Sequence, residues 1–399
     1  MDKTQRLNEL PPLEKLYFFL TVSEIGNISQ AAIKLNKTQS TISKNIALLE
    51  ENLGVRLFDR RQTGVLLRKE AHIVAFRTQR AIAHLQSGLG SSGIRLQALL
   101  SEKRLGIFIE LERLHHMPTV ATIFGLSQPA ISQAIKILEN GLKHKLFNRT
   151  QKGLIPSFFA RELSINVRKA FNELRIIRSE LEKLQDKIVG TVYVGALPLG
   201  RAKLLPEAIV RLHDKYKNIQ VVTSESPFEI LASELRSGDI DFILGAIRKT
   251  NYASDLISKP LIQENLALVV RKDHPLKDVL DLNKIPHSIS WIFPRKNSPS
   301  RMLIEKMFLE NLLLLPSASV ETGDLAIIRE LLLGTDMIAV LSAHQIDYEI
   351  SRGDIIKLKI DMSGTQREIG VTVRKNSTPS PAANLLIEEI MNMANVALK

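Results

Sequence analysis

Apolar residues recur at helical spacing through the first half of the chain and mostly at strand spacing, broken by helices, through the second. Near the start, Leu13, Leu16, Phe19 and Leu20 share one helical face. Gly26-Asn27 supplies the stop, because both residues tolerate positive φ. Ser29 is placed to cap a short helix holding Ala31, Ala32 and Leu35, and Asn36-Lys37 makes a turn. Thr38 is placed to cap a longer helix whose Ile42, Ile46, Leu49 and Leu53 form one apolar face, ended by Gly54. In Val55–Leu67, Gly64 lies between short apolar runs, which predicts a β-hairpin. The whole order then returns. Residues 13–73 and 102–162 carry one pattern at an offset of 89, with sixteen identical pairs between Leu16 and Ala71. Gln39-Ser40-Thr41-Ile42-Ser43 returns as Gln128-Pro129-Ala130-Ile131-Ser132, and Leu57-Phe58-Asp59-Arg60 as Leu146-Phe147-Asn148-Arg149. Two copies are too few for a solenoid, so the pattern reads as one small domain duplicated.

After the second copy, residues 157–187 read as one long helix. Leu163, Val167, Ala170, Leu174, Ile177, Leu181 and Leu184 alternate spacings of 4 and 3, a heptad seam. The matching seam of the first copy, Val74, Thr78, Ala81 and Leu85, runs into Gly88, so only the second copy is expected to keep a long helix. Residues 86–93 read as a Gly/Ser linker with a random-coil reach of roughly 15 Å. They also spell G-x-G-x-x-G, but without the βαβ context that dinucleotide binding requires. From Lys187 the grammar changes to alternating strand and helix: strands at Val189–Leu197, Ile219–Thr223 and Asp241–Gly245, helices at Leu205–Tyr216 and Pro227–Ser237. Later strands are expected at Leu266–Arg271, Ile289–Ile292, Met337–Leu341 and Ile369–Val373. Repeating βα predicts a parallel sheet wrapped by helices.

Charge divides along the same line. The formal net charge is +12; residues 1–190 hold 29 Lys+Arg against 17 Asp+Glu, and residues 191–399 hold 25 of each. All net positive charge therefore accompanies the repeats, as expected if that half meets nucleic acid. The third helix of each copy offers Gln39, Ser40, Thr41, Ser43 and Lys44, or Gln128, Pro129, Ser132 and Gln133. Gln can pair with adenine edges, and hydroxyls with bases or phosphates. The hairpins add Arg60, Arg61, Arg68 and Lys69, or Lys143, Lys145 and Arg149, suited to phosphates. In an open α/β sheet, ligands sit beyond the carboxyl ends of strands. That nominates Leu197, Pro198, Leu199, Ser226, Arg248, Pro294, Arg295 and Thr322, with Arg248 and Arg295 able to pair a carboxylate. The absence of cysteine excludes disulfides and thiol chemistry. His115-His116 lacks a third metal ligand at useful spacing, Asp239 and Asp241 are not a carboxylate pair, and no nucleophile elbow occurs, so neither enzyme chemistry, a metal nor a cofactor is expected. The polar N-terminus with Pro11-Pro12 is not a signal peptide, and no apolar run reaches membrane-spanning length.

The run Ala31-Ala32, Leu35, Gln39-Ser40, Ile42-Ser43, Ile46, Leu49-Glu50, Leu53-Gly54, Leu57-Phe58-Asp59-Arg60 resembles the winged helix-turn-helix of LysR-type transcriptional regulators, here present twice. Gly195-Ala196-Leu197-Pro198, Leu235-Arg236-Ser237-Gly238-Asp239-Ile240-Asp241 and His274-Pro275-Leu276 resemble the effector-binding domain of the same family. The resemblance implies two α-rich winged helix-turn-helix domains (1–85 and 102–156, joined by a linker at 86–101), a dimerisation helix at 157–187, and a two-lobed α/β domain of type 2 periplasmic-binding-protein kind at 188–399. It implies a cytoplasmic regulator binding operator DNA and a small effector, a sugar or an aromatic acid. It also implies a homodimer or homotetramer, paired through Leu163, Val167, Leu174, Ile177, Leu181 and Leu184, with RNA polymerase as a further candidate partner and no membrane. The second winged helix would then be fixed to the dimer, and the first would hang from the linker. Two rival classes stay open: a solute-binding protein with helical appendages, and a scaffold whose winged helices hold protein.

Overall fold

A computed structural model describes residues 10–61, 64–90, 96–150, 153–248 and 254–397. The chain divides into two units, the second starting at Gly190. In the first unit, the first copy forms α1 (Leu13–Ile25), α2 (Ile28–Lys34), α3 (Gln39–Leu53), β1 (Phe58–Arg61), β2 (Gly64–Leu67) and α4 (Lys69–Leu89). The second forms α5 (Glu102–Leu114), α6 (Met117–Phe124), α7 (Gln128–Leu142), β3 (Phe147–Thr150), β4 (Gly153–Pro156) and α8 (Phe158–Lys183). Asn27, not Ser29, caps α2, its Oδ1 accepting from the Gln30 N–H at 3.1 Å. Thr38 caps α3 as expected, and Ser127 occupies the same place on α7. The paired glutamates of the repeat anchor the hairpins. A Glu50 carboxylate oxygen accepts from the Leu57 and Phe58 N–H groups at 2.7 and 3.3 Å, and Glu139 does the same for Leu146 and Phe147 at 2.8 and 3.3 Å. This explains why Leu-Glu and Leu-Phe recur together: each carboxylate fixes its hairpin against the end of its third helix.

Two expectations fail in this unit. The first copy also keeps a long helix: α4 continues through Ser87 to Leu89, so residues 86–89 are helical rather than linker. Residues 91–95 lie outside the described residues, and Leu96–Leu99 form a 3-10 turn. Moreover, α4 and α8 make the most extensive helix–helix contact in the chain. Leu163, Val167, Leu174 and Ile177 are fully buried in the core that also buries Val74, Thr78, Ala81 and Leu85, with Leu181 nearly so. The seam expected to pair two chains is therefore filled by the chain's own α4. Leu184 stands just past the end of α8 and is 38% exposed, outside the seam. Close approach is possible because Gly88 has no side chain. A Cβ there would lie 2.9 Å from Leu163 Cδ1 and 3.0 Å from Asn166 Cβ. The first winged helix is thus held by packing rather than hung from a tether.

A buried charge cluster joins the same helices. Arg77, wholly inaccessible, donates to Glu173 at 2.7 Å and to Glu180 at 2.9 Å, and Arg80 donates to Glu173 at 2.9 Å. Burial opposes the charge on Arg77, but the hydrogen bonds and charges of Glu180 and Glu173 outweigh it and hold its pKa above the ordinary arginine value.

The second unit contains two five-stranded sheets. The first holds β5 (Gly190–Ala196), β6 (Ile219–Ser224), β7 (Phe242–Ala246), β8 (Leu256–Glu264) and β14 (Arg367–Arg374), in the order β6-β5-β7-β14-β8. The second holds β9 (Leu266–Arg271), β10 (Trp291–Phe293), β11 (Ala318–Glu321), β12 (Ile338–Ser342) and β13 (Ile355–Lys357), in the order β11-β10-β12-β9-β13. Helices α9 (Leu205–Lys215), α10 (Phe228–Ser237), α11 (Pro299–Glu310), α12 (Leu325–Gly334), α13 (Asp347–Arg352) and α14 (Pro381–Ala397) complete it. The sheets are mixed, not parallel as the βα alternation suggested. β5 runs parallel to β6 and β7, but β14 is antiparallel to β7 and β8; β10 runs parallel to β11 and β12, but β9 is antiparallel to β12 and β13. The reason is the chain path. It leaves the first lobe at Asn265, between β8 and β9, and returns after β13, so β9 and β14 insert without the crossover helix that makes neighbours parallel. Glu264 and Arg367 meet beside that passage at 2.8 Å, and Ser342 donates to the same buried carboxylate.

Candidate nucleic-acid interface and ligand cleft

On α3, Gln39, Ser40 and Lys44 are exposed and Thr41 and Ser43 half-buried; on α7, Gln128, Pro129 and Gln133 are exposed and Ser132 half-buried. Each set stands opposite the buried Ile42, Ile46 and Leu49, or Ile131, Ile135 and Leu138. The polar groups are presented outward because the apolar ones are committed to the core. The hydroxyl of Thr38 meets those of Ser40 and Thr41 at 3.0 and 2.8 Å, so the start of α3 is a pre-set hydroxyl cluster. Arg60 and Arg61 lie on β1, with side chains outside the described residues. Arg68 is tied to Asp59 at 3.1 Å, which leaves it less free for phosphate than its charge suggested. In the second copy, Ser132, Lys136, Lys143, Lys145 and Arg149 line a groove between α7 and its hairpin. Glu139 shares that groove, but one of its oxygens is committed to backbone N–H groups, and Lys145 stands 3.9 Å from the other.

In the second unit, the eight nominated residues Leu197, Pro198, Leu199, Ser226, Arg248, Pro294, Arg295 and Thr322 line one cleft of about 720 Å³. They come from the ends of β5, β6, β7, β10 and β11. The cleft's cations are Arg201, Arg248, Arg295 and Lys296, with Arg367 already paired to Glu264, against Glu225, Glu229 and Asp324. Asp324 is occupied in capping α12, accepting from Ala326 and Ile327 N–H at 2.9 and 3.2 Å. Arg248 lies 5.0 Å from the Phe228 ring centroid, and its buried Nε has no hydrogen-bond partner among the described residues. Burial lowers its pKa despite the charge of Glu229. Sequence reasoning missed Arg201 and Arg367. Arg201 follows Leu197 by one helical turn, its N–H bonding the Leu197 carbonyl at 3.0 Å, and was findable. Arg367 reaches the cleft only because β14 returns from the other lobe, which no local pattern encodes. Among the described residues no cluster of His, Asp or Glu is arranged to hold a metal, and no helix is long and apolar enough to cross a membrane.

Comparison with known proteins agrees with this anatomy. Residues 185–394 match the LysR substrate binding domain, and residues 13–71 and 103–161 each match the bacterial regulatory helix-turn-helix of the lysR family. The HTH-type transcriptional regulator GalR of Pseudomonas putida is 43% identical over 382 residues, covering 95% of this chain and 96% of its own. An alignment of that length runs through both copies. A full-length OxyR variant from Pseudomonas aeruginosa shares the fold with TM-score 0.55 at 22% identity, covering 72% of this chain and 93% of its own. CbnR, a LysR family transcriptional regulator, gives TM-score 0.53 at 16% identity over 73% of this chain and 98% of its own. With its substrate-binding half and both helix-turn-helix segments matched, and GalR aligned almost end to end, the chain belongs to the LysR family of transcriptional regulators.

Proposed function

We propose that this regulator reads duplex DNA through α3 and α7 and responds to a small organic anion, a carboxylic acid, bound in the cleft. Arg248 carries the effector half of the reading. An arginine backed by an aromatic ring, with a buried Nε that has no partner among the described residues, is unfavourable without an acceptor and is matched by a carboxylate. A neutral sugar would leave the cation excess of the cleft uncompensated. An acid-bearing aromatic ring fits both the charge and the apolar walls supplied by Leu197, Phe228, Ile292 and Phe293. The effector acts by binding two lobe arrangements unequally. Soluble cytoplasmic operation, further assembly of chains and contact with RNA polymerase belong to the same reading.

The test is selection of bound duplexes from a random-sequence pool by the full chain, followed by a screen of carboxylic acids and sugars for altered binding. A shared sequence should emerge, and only acids should change the affinity. In Arg248→Ala with Arg295→Ala, DNA binding should persist while the response to the acid falls at least tenfold, a loss of about 1.4 kcal/mol or more. Emergence of no shared sequence, or a response to neutral sugars alone, would defeat the reading.

A further inference from the structure

Two contacts in the first unit join residues that are counterparts in the repeat. The Leu13 N–H donates to Glu102 Oε2 at 3.2 Å, and His84 Nε2 lies 4.0 Å from Glu173 Oε1. Both pairs are separated by the repeat offset of 89. A residue touches its own counterpart where it lies near the rotation axis relating the copies, and antiparallel counterpart helices make that axis two-fold. The helices agree: Arg77 meets Glu173 and Glu180 while Gly88 faces Leu163 and Asn166, so α4 and α8 run antiparallel about that axis. The two winged helices of one chain are thus related as two subunits of a symmetric dimer would be.

The charges at this contact are not symmetric. On α4 stand Arg77, Arg80 and His84; on α8 stand Glu173 and Glu180. The counterpart of His84 is Glu173 itself, and the counterpart of Arg77 is Asn166. If α8 helices from two chains paired, Glu173 would face Glu173 across the axis. Lys169 would stand where Arg80 does, but Asn166 would replace the fully buried arginine. If α4 helices from two chains paired, Arg77 would be buried against His84 with no carboxylate there. A buried charge that loses its partner is strongly unfavourable, and like charges across an interface reject the wrong pairing.

We propose that one chain is by itself a complete two-headed DNA reader: α4 and α8 pair within the chain and present α3 and α7 to the two half-sites of one inverted repeat. The heads share Gln39/Gln128 and Ser43/Ser132 but differ at Ser40/Pro129, Thr41/Ala130 and Lys44/Gln133. The two half-sites therefore differ in sequence, which a reader built from two identical chains has no means to demand. The half-site claim rests on the DNA-reading role proposed above; the pairing claim does not.

Because the chain has no native cysteine, cross-linking tests the pairing directly. Arg178 on α8 donates to the Asn52 carbonyl at 3.2 Å on the exposed surface, and neither residue is one of the charged partners of Arg77. The full-length Asn52→Cys with Arg178→Cys variant, treated with a short bismaleimide, should give a cross-link within one chain, identified by linked peptides in a band of single-chain mass. A covalent dimer, or no link at all, overturns the pairing. The duplex sequence selected by the full chain is then trimmed to the shortest length that keeps full affinity. Native mass spectrometry should count one chain for every two half-sites, whatever the size of the assembly. Making the duplex a perfect palindrome of either half should weaken binding roughly tenfold, the scale of one lost base-specific contact. One chain per half-site, or tighter binding to a palindrome, overturns the two-headed reading. A correct cross-link with no selected sequence leaves the pairing intact and counts against the DNA role alone.

Discussion

Arg77 shows how much a single residue can decide. It is fully buried, and α8 delivers two carboxylates, Glu173 and Glu180, to its guanidinium. Arg77→Met keeps most of the aliphatic packing and removes the charge, leaving Glu173, 1% exposed at its side chain, with Arg80 as the remaining strong partner. A buried charge left with no partner costs about 3–5 kcal/mol, so with Arg80 still on Glu173 the expected loss lies below that range. A lowered urea midpoint with unchanged slope in the full chain would register it, and a loss within error of zero would show the cluster to be indifferent to stability. Nothing around Arg77 in the sequence marked it: it falls between the seam positions Val74 and Thr78, and its partners stand 96 and 103 residues away. The outward polar residues of α3 and α7 were legible for the opposite reason. Gln39, Ser43, Gln128 and Ser132 sit on helices whose apolar spacing alone fixes the outward face.

At the scale of elements, the outcome turned on which surface fills the seam of α8. Its heptad spacing was readable, and its burial is as expected; its partner was not readable. The spacing states that a helix has an apolar face and is silent on whether the opposing helix belongs to the same chain. Gly88 looked like the end of a helix and proved to lie against α8, where a Cβ would crowd Leu163 and Asn166. Gly88→Leu should therefore force α4 and α8 apart, at a cost of about 1–3 kcal/mol for overpacking. Hydrogen exchange should speed up in α4 and α8 together while β5–β7 keep their protection. If only the residues next to position 88 respond, the contact yields locally and the helices do not act as a unit. The strands missed by the sequence reading have a related cause. β8 contains Pro260 and pairs only with β14 at a sheet edge, and β11 and β13 are short edge strands. Edge strands are half solvated, so their apolar alternation is weak.

For the whole molecule, the partition of charge becomes a prediction about salt. The unit with both winged helices holds the entire positive excess, so the affinity of the full chain for its selected duplex should fall linearly in log–log coordinates with salt. The slope is close to the number of phosphates neutralised. If both heads engage, replacing Lys143 and Lys145 with alanine, or Lys44 and Arg68, should each lower the slope by about 1–2. Arg68 should contribute less, since it is tied to Asp59. A slope that responds to one pair and is unmoved by the other would mean a single head carries the phosphates.

The sequence by itself determined the duplicated winged helices, their outward faces, the two-lobed α/β half and the loops of its cleft. The repeats, their faces and the cleft loops follow from local periodicity, caps and strand ends, which act over a few residues; the two lobes came from the family resemblance. The tertiary structure alone decided that the two long helices pair within one chain, that Arg77 is buried between glutamates, that Arg367 joins the cleft and that the sheets are mixed. Each of these depends on groups brought together from distant parts of the chain: α4 with α8, β9 and β14 threaded between lobes. Spacing along a sequence specifies which face of an element needs a partner. Only packing, in which charge and volume are matched across the contact, specifies which partner it receives.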